Sequence, residues 1–277
     1  MPELPEVEVI RRGLLPHVKG RRVIEVRFSG KQLRSLVPIE LMQTKLVGAT
    51  IEDVNRKAKY LLFPTDSGDL LIIHLGMTGK LGVCKQGQQQ ATHDHVFFLF
   101  DDGTELRFND TRRFGSVHFI QHGHRETEEK SFFRTTGPEP FDSRITPAYF
   151  RKLAKGSSQT VKTFIMNGKN IAGVGNIYAN ESLFAAGVNP MLHAGRVTRG
   201  QWQKIIHHIR AVLEEAIDCG GSTINDFVNA GGEQGYFQMN FRVYGRADKP
   251  CSVCNMHIKK IVITGRASYY CPRCQRR

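Results

Sequence analysis

Four of the six cysteines lie between residues 251 and 274, and they constrain the fold of this chain more than any other feature does. They form two pairs of equal spacing, Cys251-x2-Cys254 and Cys271-x2-Cys274. Each pair can offer two thiolates from one tight turn, and the 16 residues between the pairs suffice for a hairpin that completes a tetrahedral site. Disulfides are the less favoured alternative in a chain without a secretion signal. The spacing therefore predicts one structural Zn²⁺.

The chain is strongly basic, with 39 Lys and Arg against 26 Asp and Glu and a formal net charge of +13. Such an excess predicts a polyanionic partner, either nucleic acid or an acidic membrane surface. Residues 251–277 contribute six Lys and Arg and no acidic residue. A charged run is also typical of an ordinary solvated face. The charge therefore favours a polyanionic partner but does not identify it.

No segment of the sequence predicts a membrane span, because no apolar run approaches the length that a bilayer requires. Arg11 and Arg12 interrupt the N-terminus before a signal-peptide core can form. We therefore expect a cytoplasmic protein with no membrane partner. A length of 277 residues with 40% hydrophobic and 23% charged residues is ordinary for a soluble protein of two domains.

Hydrophobic periodicity predicts a β-rich part followed by a helical part, which is an α+β protein. An amphipathic helix is expected over residues 5–18 and two more over residues 174–186 and 199–217. Between residues 21 and 120, short β-type runs predict a sandwich with the first helix alongside; they occupy residues 23–28, 50–54, 60–63, 70–74, 96–100 and 105–108. Residues 121–146 are polar and rich in glycine and proline, which predicts an irregular linker.

The first six residues place a proline and two carboxylates where removal of Met1 would expose a reactive amine; they read Met1-Pro2-Glu3-Leu4-Pro5-Glu6. A terminal α-amino group titrates near about pH 8, so part of it is unprotonated at neutral pH and can form an imine with an electrophilic carbon. The structural alternative is that Pro5 and the acids merely begin a helix. The hexapeptide alone leaves both interpretations open.

Paired basic side chains and a glycine turn offer weaker evidence for binding or catalytic sites. The turn from Gly173 to Asn176 can present N–H groups to a phosphate at a helix N-terminus, or it can serve packing alone. Lys57 and Lys59 alternate at the start of a predicted strand and would share one face, where they can grip phosphate or supply a general acid. His93 and His95 have the same spacing, but no third metal ligand accompanies them. We expect a polar or structural role for the pair rather than metal binding.

The segment 110–115 combines guanidinium and aromatic groups at a turn after a strand; it reads Asp110-Thr111-Arg112-Arg113-Phe114-Gly115. Such groups suit insertion into DNA or stacking on bases, although ion pairs beside a core phenylalanine have the same composition. Met77, which follows His74-Leu75-Gly76, has the same ambiguity between a wedge and ordinary packing.

Five motifs in this order resemble the bacterial formamidopyrimidine-DNA glycosylase family, and the resemblance covers essentially the whole chain. They are Pro2-Glu3-Leu4-Pro5-Glu6-Val7-Glu8, His74-Leu75-Gly76-Met77, Asp110 to Gly115, Gly173 to Tyr178, and the four-cysteine finger. The resemblance implies a catalytic β-sandwich domain at residues 1–120, a linker at 121–146, a helix-two-turn-helix domain at 147–240 and a zinc finger at 241–277. It also implies a loop at 220–237 that closes over the damaged base.

The implied activity is that of a DNA glycosylase/AP lyase of base excision repair, a nucleoid-associated bacterial monomer acting on double-stranded DNA. Such an enzyme excises oxidised purines, namely 8-oxoguanine and formamidopyrimidines, and cuts the strand by β,δ-elimination. Pro2 would form a Schiff base with the sugar, Glu3 would protonate its ring oxygen, and Glu6 would support them. Lys59 would transfer protons in β-elimination, and Arg266 would serve δ-elimination and phosphate binding.

The remaining implied residues contact DNA or replace the extruded base. DNA contacts are implied for His74, His93, Arg112, Lys162, Asn176 and Lys260. The gap left by the flipped base would be filled by Met77, Arg112 and Phe114. The chain departs from the pattern at Ser158, where relatives often carry a lysine that contacts DNA, and we assign no contact there.

Two rival functions stay open at this point. An enzyme of the endonuclease VIII type, which acts on oxidised pyrimidines, typically has glycine where this chain has Leu4 and lacks the combination of Met77, Arg112 and Phe114. A non-catalytic zinc-ribbon protein that binds nucleic acid would explain the basic finger but would leave Pro2 and Glu3 unused.

Overall fold

The computed structural model describes residues 2–220 and 241–276, which form two compact units. The first unit comprises residues 2–134, and the second comprises residues 135–218 with 241–276. The predicted fold class is confirmed: a β-sandwich with a leading helix is followed by a helical domain and a C-terminal hairpin finger. The loop predicted at residues 220–237 lies outside the described residues, apart from Gly220.

Two four-stranded antiparallel sheets make up the first unit. Their strands are β1 (Val23–Phe28), β2 (Asn55–Lys57), β3 (Tyr60–Pro64), β4 (Leu70–His74), β5 (Gly79–Lys85), β6 (Asp94–Phe100), β7 (Thr104–Asp110) and β8 (Ser116–Ile120). One sheet has the order β1-β6-β7-β5 and the other the order β2-β3-β4-β8. Successive side chains of a strand point to opposite faces of the sheet. In β4, Leu71 and Ile73 therefore enter the sandwich core, while Leu70 and Ile72 pack in a second apolar cluster on the other face.

Helix α1 (Leu4–Val18) lies against β2, β3 and β5 and carries the N-terminus of the protein. Its apolar residues recur every three or four positions and are all 2% exposed or less; they are Val7, Ile10, Leu14 and Val18. Helix α2 (Ile39–Lys45) contacts β1, and helix α3 (Arg125–Phe132) contacts β8. Burial of one helix face against the sandwich therefore fixes where the first residues lie.

Four helices form the body of the second unit: α4 (Pro147–Ala154), α5 (Val161–Met166), α6 (Asn176–Ala185) and α7 (Arg199–Asp218). Trp202 of α7 is fully buried, and its ring lies 4.9 Å from that of Phe150 and 5.5 Å from that of Phe164. This aromatic group joins α4, α5 and α7 in one core.

The finger hairpin, β9 (Lys259–Ile263) and β10 (Arg266–Tyr270), is attached to helix α6 by buried polar side chains. The Glu181 carboxylate accepts hydrogen bonds from the N–H groups of residues 242, 243 and 244 at 2.7 to 3.0 Å. The Asn180 Oδ1 accepts one from the Tyr269 N–H at 2.8 Å. Both acceptors are at most 3% exposed, so the finger is anchored to α6.

Two expectations about local structure were wrong. Residues 121–146 are not irregular throughout, because they contain a 3₁₀ turn at His122–His124 and helix α3. Residues 50–54 do not form a strand, since only single bridges pair Thr50 with Arg22 and Ile51 with Thr65. None of the helices in the described ranges has the length and apolarity that crossing a membrane requires.

Candidate active site and nucleic-acid contacts

The N-terminus is fixed by the start of helix α1. Pro2 and Glu3 are both buried, and Glu3 occupies the N-cap position, where it is 1% exposed. The Glu6 Oε2 accepts a hydrogen bond from the Glu3 N–H at 2.8 Å, which satisfies one of the N–H groups left unpaired at a helix start. Glu6 therefore holds the Pro2-Glu3 segment in place.

Lys59 lies in a tight turn between β2 and β3. Lys57 pairs with Tyr60, which leaves Ala58 and Lys59 as a two-residue hairpin turn, and Ala58 has a φ of +55°. The ammonium of Lys57 lies 4.1 Å from the centre of the Phe133 ring. The prediction that Lys57 and Lys59 share a strand face was wrong, because the strand ends between them.

Glu8 of helix α1 organises a cluster of three arginines, two on α1 and one on β2. Its carboxylate accepts hydrogen bonds from Arg11 at 2.8 Å, from Arg12 at 3.0 Å and from Arg56 at 3.0 Å. Burial opposes ionisation of Glu8, but the bonds from the three arginines outweigh it and lower its pKa to about 2. Glu8 is therefore ionised at neutral pH, although only 9% of it is exposed.

The three residues predicted to fill the gap in DNA are presented by two neighbouring loops of the first unit. Met77 is 37% exposed and Phe114 is 44% exposed. The guanidinium carbon of Arg112 lies 4.6 Å from the centre of the Phe114 ring, a cation–π contact that orients both side chains. Two exposed apolar side chains and a stacked arginine make a surface suited to contact with bases.

Asp110 connects the two loops, although no role was predicted for it from the sequence. It is fully buried at the end of β7, and its carboxylate accepts hydrogen bonds from the Thr78 hydroxyl at 2.5 Å and the Gly115 N–H at 2.7 Å. The Arg112 N–H lies 3.3 Å from the same carboxylate. One buried acid thus holds the start and end of the loop that carries Arg112 and Phe114.

His74 supports the loop that carries Met77. Its Nδ1 accepts a hydrogen bond from the Gly76 N–H at 3.1 Å, and its ring lies 4.6 Å from that of Tyr60. Burial, together with the positive charges of Arg34 and Lys59, lowers the pKa of His74 to about 4. The imidazole is therefore neutral at physiological pH, and the DNA contact predicted for His74 would use a neutral side chain.

Of the two histidines at the start of β6, His95 has the polar role that was expected. His95 is 1% exposed and lies between the Ser29 hydroxyl at 3.1 Å and the Asp110 carbonyl at 3.0 Å. His93 precedes β6, is partly buried, and has its ring 6.5 Å from that of His95. In the described part of the chain, the four finger cysteines are the one group of three or more metal-ligating side chains that the fold brings together.

In the second unit, Asn176 is the first residue of α6 and follows a turn in which Gly173 has a φ of +85°. The Asn176 Oδ1 is buried and accepts no hydrogen bond from any described residue. Buried polar atoms in folded proteins are normally paired, so this unpaired acceptor suits a ligand that donates a hydrogen bond.

Lys162 lies in the interior rather than on an exposed DNA-binding face. It is 1% exposed, and its ammonium donates hydrogen bonds to the Ala267 carbonyl at 2.9 Å and the Ser268 hydroxyl at 2.6 Å. These acceptors follow Arg266 directly on β10. Lys162 and Arg266 both line a cavity of about 260 Å³ between α5 and the hairpin. Arg266 and Lys260 are themselves exposed on the finger.

The finger cysteines form a tetrahedral set of thiols. Cys251 and Cys274 have their sulfurs 3.9 Å apart, Cys254 and Cys271 have theirs 3.4 Å apart, and all four lie within 4.8 Å of one another. Zinc–sulfur bonds of about 2.3 Å give tetrahedron edges of about 3.8 Å, so the set fits Zn²⁺. The N–H groups of Val253 and Cys274 each point at a cysteine sulfur at 3.4 Å, as expected for thiolates that need stabilising.

Three family models match consecutive parts of the chain. The model described as "Formamidopyrimidine-DNA glycosylase N-terminal domain" matches residues 1–117, and "Formamidopyrimidine-DNA glycosylase H2TH domain" matches residues 136–228. The model described as "Zinc finger found in FPG and IleRS" matches residues 248–277. The matches follow one another in the order of the sandwich, the helices and the finger.

Full-length relatives and solved structures agree with these matches. The chain is 45% identical to the formamidopyrimidine-DNA glycosylase of Methylococcus capsulatus and 42% identical to that of Idiomarina loihiensis, each with 100% of both chains covered. Among solved structures, it is similar to the Lactococcus lactis Fpg bound to DNA with an abasic site, with a TM-score of 0.89, 30% identity and 100% coverage of both chains. A structure of MutM with DNA containing carbocyclic 8-oxo-G gives the same values.

Proposed function

Because the chain belongs to the formamidopyrimidine-DNA glycosylase family, we propose that the Pro2 end of helix α1 is its catalytic centre. The protein is a DNA glycosylase/AP lyase of base excision repair that acts on oxidised purines and binds damaged DNA. One observation carries the placement of the centre. Pro2 and Glu3 are buried at a capped helix start within the same unit that exposes Met77, Arg112 and Phe114.

Pro2, exposed by removal of Met1, is the nucleophile of this proposal. Its secondary amine attacks C1′ of the flipped nucleotide, and the damaged base leaves with the electrons of the glycosidic bond. Glu3 protonates the ring oxygen as the sugar opens, which leaves a Schiff base between Pro2 and C1′. The proposal is supported by the hydrogen bond from the Glu3 N–H to Glu6, since it fixes the backbone that joins the acid to Pro2.

Lys59 is proposed to move protons in the elimination that follows. Loss of a C2′ proton from the Schiff base breaks the bond to the 3′ phosphate, and a second elimination breaks the bond to the 5′ phosphate. Water then hydrolyses the imine and frees Pro2. The position of Lys59 in a short hairpin turn supports this role, because such a turn restricts the ammonium more than a long loop would.

The second unit is proposed to hold the DNA backbone. Asn176 would donate its amide N–H to a phosphate at the start of α6, and Lys260 and Arg266 supply two exposed cations. Arg266 also assists the second elimination. His74, His93 and Arg112 are the DNA contacts proposed for the first unit. Lys162 also remains a proposed contact, although its ammonium already bonds β10. Zn²⁺ held by the four cysteines stabilises the finger that carries Arg266.

The domain limits stay predictions, with the catalytic domain at residues 1–120, the linker at 121–146, the helical domain at 147–240 and the finger at 241–277. Action as a monomer also stays a prediction. The same holds for the lesion-capping role of residues 220–237.

A trapping experiment tests the proposed chemistry. The protein is incubated with duplex DNA carrying 8-oxoguanine opposite cytosine in the presence of borohydride, which reduces a Schiff base to a stable amine. We expect a covalent adduct and strand cutting by the wild type, and no adduct with Pro2→Gly or with an N-terminal extension that blocks the amine.

Two parallel outcomes would contradict the proposal. Binding of the duplex by the wild type with neither trapping nor cutting would support a non-catalytic zinc-ribbon protein instead. Faster trapping on a duplex containing thymine glycol would favour the enzyme class that acts on oxidised pyrimidines.

A further inference from the structure

The Arg56 guanidinium connects helix α1 to the turn that carries Lys59. Its Nε donates to the Glu8 Oε2 at 3.0 Å, and its Nη1 donates to the Ala58 carbonyl at 3.1 Å. The side chains of Arg56 and Glu8 are each 12% exposed. A single planar group thus bridges the helix that begins after Pro2 and the residue that precedes Lys59 in the chain.

The turn needs such support because its backbone is strained. Ala58 has a φ of +55°, in the left-handed region that favours glycine. A non-glycine residue keeps this conformation when surrounding contacts over-determine it. The hydrogen bond to the Ala58 carbonyl is such a contact.

Arg56 is also held in one orientation by the rest of the cluster. Glu8 is fixed by Arg11, whose Nη1 in turn donates to the Val54 carbonyl just before β2. The cluster therefore ties α1 to the chain on both sides of Arg56. Buried charge-assisted hydrogen bonds of this kind are stronger and more directional than those between exposed charges.

We propose that the Glu8–Arg56 pair is a positioning device for Lys59, which sets the ammonium relative to the Pro2 end of α1. Neither Glu8 nor Arg56 touches the nucleotide in this proposal. It rests on the role in proton transfer proposed above for Lys59. Productive proton transfer requires the donor and acceptor within hydrogen-bond reach, so displacement of the turn slows elimination while leaving DNA binding intact.

The test measures strand cutting at an abasic site under single-turnover conditions, together with the Kd for the same duplex by fluorescence anisotropy. The variant Arg56→Lys keeps the charge but lacks the planar group that bonds Glu8 through Nε and Ala58 through Nη1, and Glu8→Gln keeps the shape but removes the charge. We expect each to cut about tenfold more slowly with an unchanged Kd.

Arg12→Gln is the matched control. Arg12 also bonds Glu8, at 3.0 Å, but its side chain is 55% exposed and it has no hydrogen bond to the turn. We expect Arg12→Gln to cut at the wild-type rate, within about twofold.

A double-mutant cycle separates positioning from general loss of structure. On a Lys59→Ala background, Arg56→Lys should cause no further slowing, because the group that it positions is absent. An equal slowing on both backgrounds would overturn the inference. So would wild-type rates for Arg56→Lys and Glu8→Gln, or failure of both variants to fold, which would assign the pair to stability alone.

Failure of the underlying function gives a different result. If the wild type does not cut, the proposed activity is wrong, and if Lys59→Ala cuts like the wild type, the role of Lys59 is wrong. Slow cutting by Lys59→Ala beside normal cutting by Arg56→Lys would overturn the positioning inference alone.

Discussion

His74 couples the stability of the first unit to pH. Its folded pKa of about 4 lies below the ordinary value of 6.5, so the unfolded chain binds a proton more readily than the folded one. The stabilising contribution is complete above about pH 6.5 and is lost as the pH falls towards about 4. Between pH 7 and 4.5 we expect His74 to account for a loss of about 2 kcal/mol in the free energy of unfolding.

The comparison that checks this uses His74→Asn, whose amide oxygen can accept the Gly76 N–H but does not titrate in this range. Urea unfolding at both pH values should show the extra loss in the wild type only. The same pH dependence in both proteins would mean that His74 does not titrate as described.

The residues that sequence patterns identified have local signals, whereas the residues that they missed act through contacts that form only in the folded chain. Cysteine spacing predicted the zinc ligands because two short pairs leave little geometric freedom. Asp110 and Arg56 were given no role, since each bonds both side-chain and backbone groups whose proximity depends on the folded chain. Lys162 was predicted to contact DNA from the family resemblance, and nothing in its sequence neighbourhood shows that its ammonium bonds β10.

The turn at Gly76 packs so closely against the loop that ends at Gly115 that there is no room for a side chain at position 76. Gly76 has a φ of +63°, and a Cβ added there would lie 2.4 Å from the Phe114 carbonyl carbon and 2.5 Å from the Gly115 nitrogen. We expect Gly76→Ala to lower the free energy of unfolding by about 3 kcal/mol or more, since backbone must move. The displaced loop should also weaken binding to DNA that contains an abasic site.

Gly103 provides the matched control for this prediction. It lies in the hairpin between β6 and β7 with a φ of +77°, but an added Cβ would meet nothing within 4 Å. Gly103→Ala should therefore cost only the backbone strain, about 1 kcal/mol, without affecting DNA binding. If thermal or urea unfolding shows the same loss of stability for both variants, the close approach at Gly76 does not contribute to the cost of the substitution.

Long periodic elements were predictable from the sequence, and short or paired ones were less so. Helices α1 and α7 bury regular apolar faces, and their predicted limits agree with the structure to within one residue. Strands β5 and β8 were not predicted, and glycine interrupts the first of them. Each becomes a strand through pairing with β7 or β4, which a local pattern does not contain.

Across the whole chain, the residues proposed for catalysis and those proposed to bind the DNA backbone belong to different units. Pro2, Lys59 and the base-replacing residues lie in the first, whereas Asn176 and Arg266 lie in the second. The second unit is kept together by α6 and its bonds to the finger, and by the four-cysteine set. A net charge of +13 supplies the general attraction to DNA, which weakens as salt rises.

The central claim, that the terminal amine of Pro2 forms the Schiff base, is tested most directly by locating the trapped adduct. After borohydride trapping on DNA with 8-oxoguanine, nuclease and trypsin digestion should leave the sugar remnant on the peptide of residues 2–11, and fragmentation should place it on Pro2. An adduct on a lysine, such as Lys59, with residues 2–11 unmodified, would contradict the account.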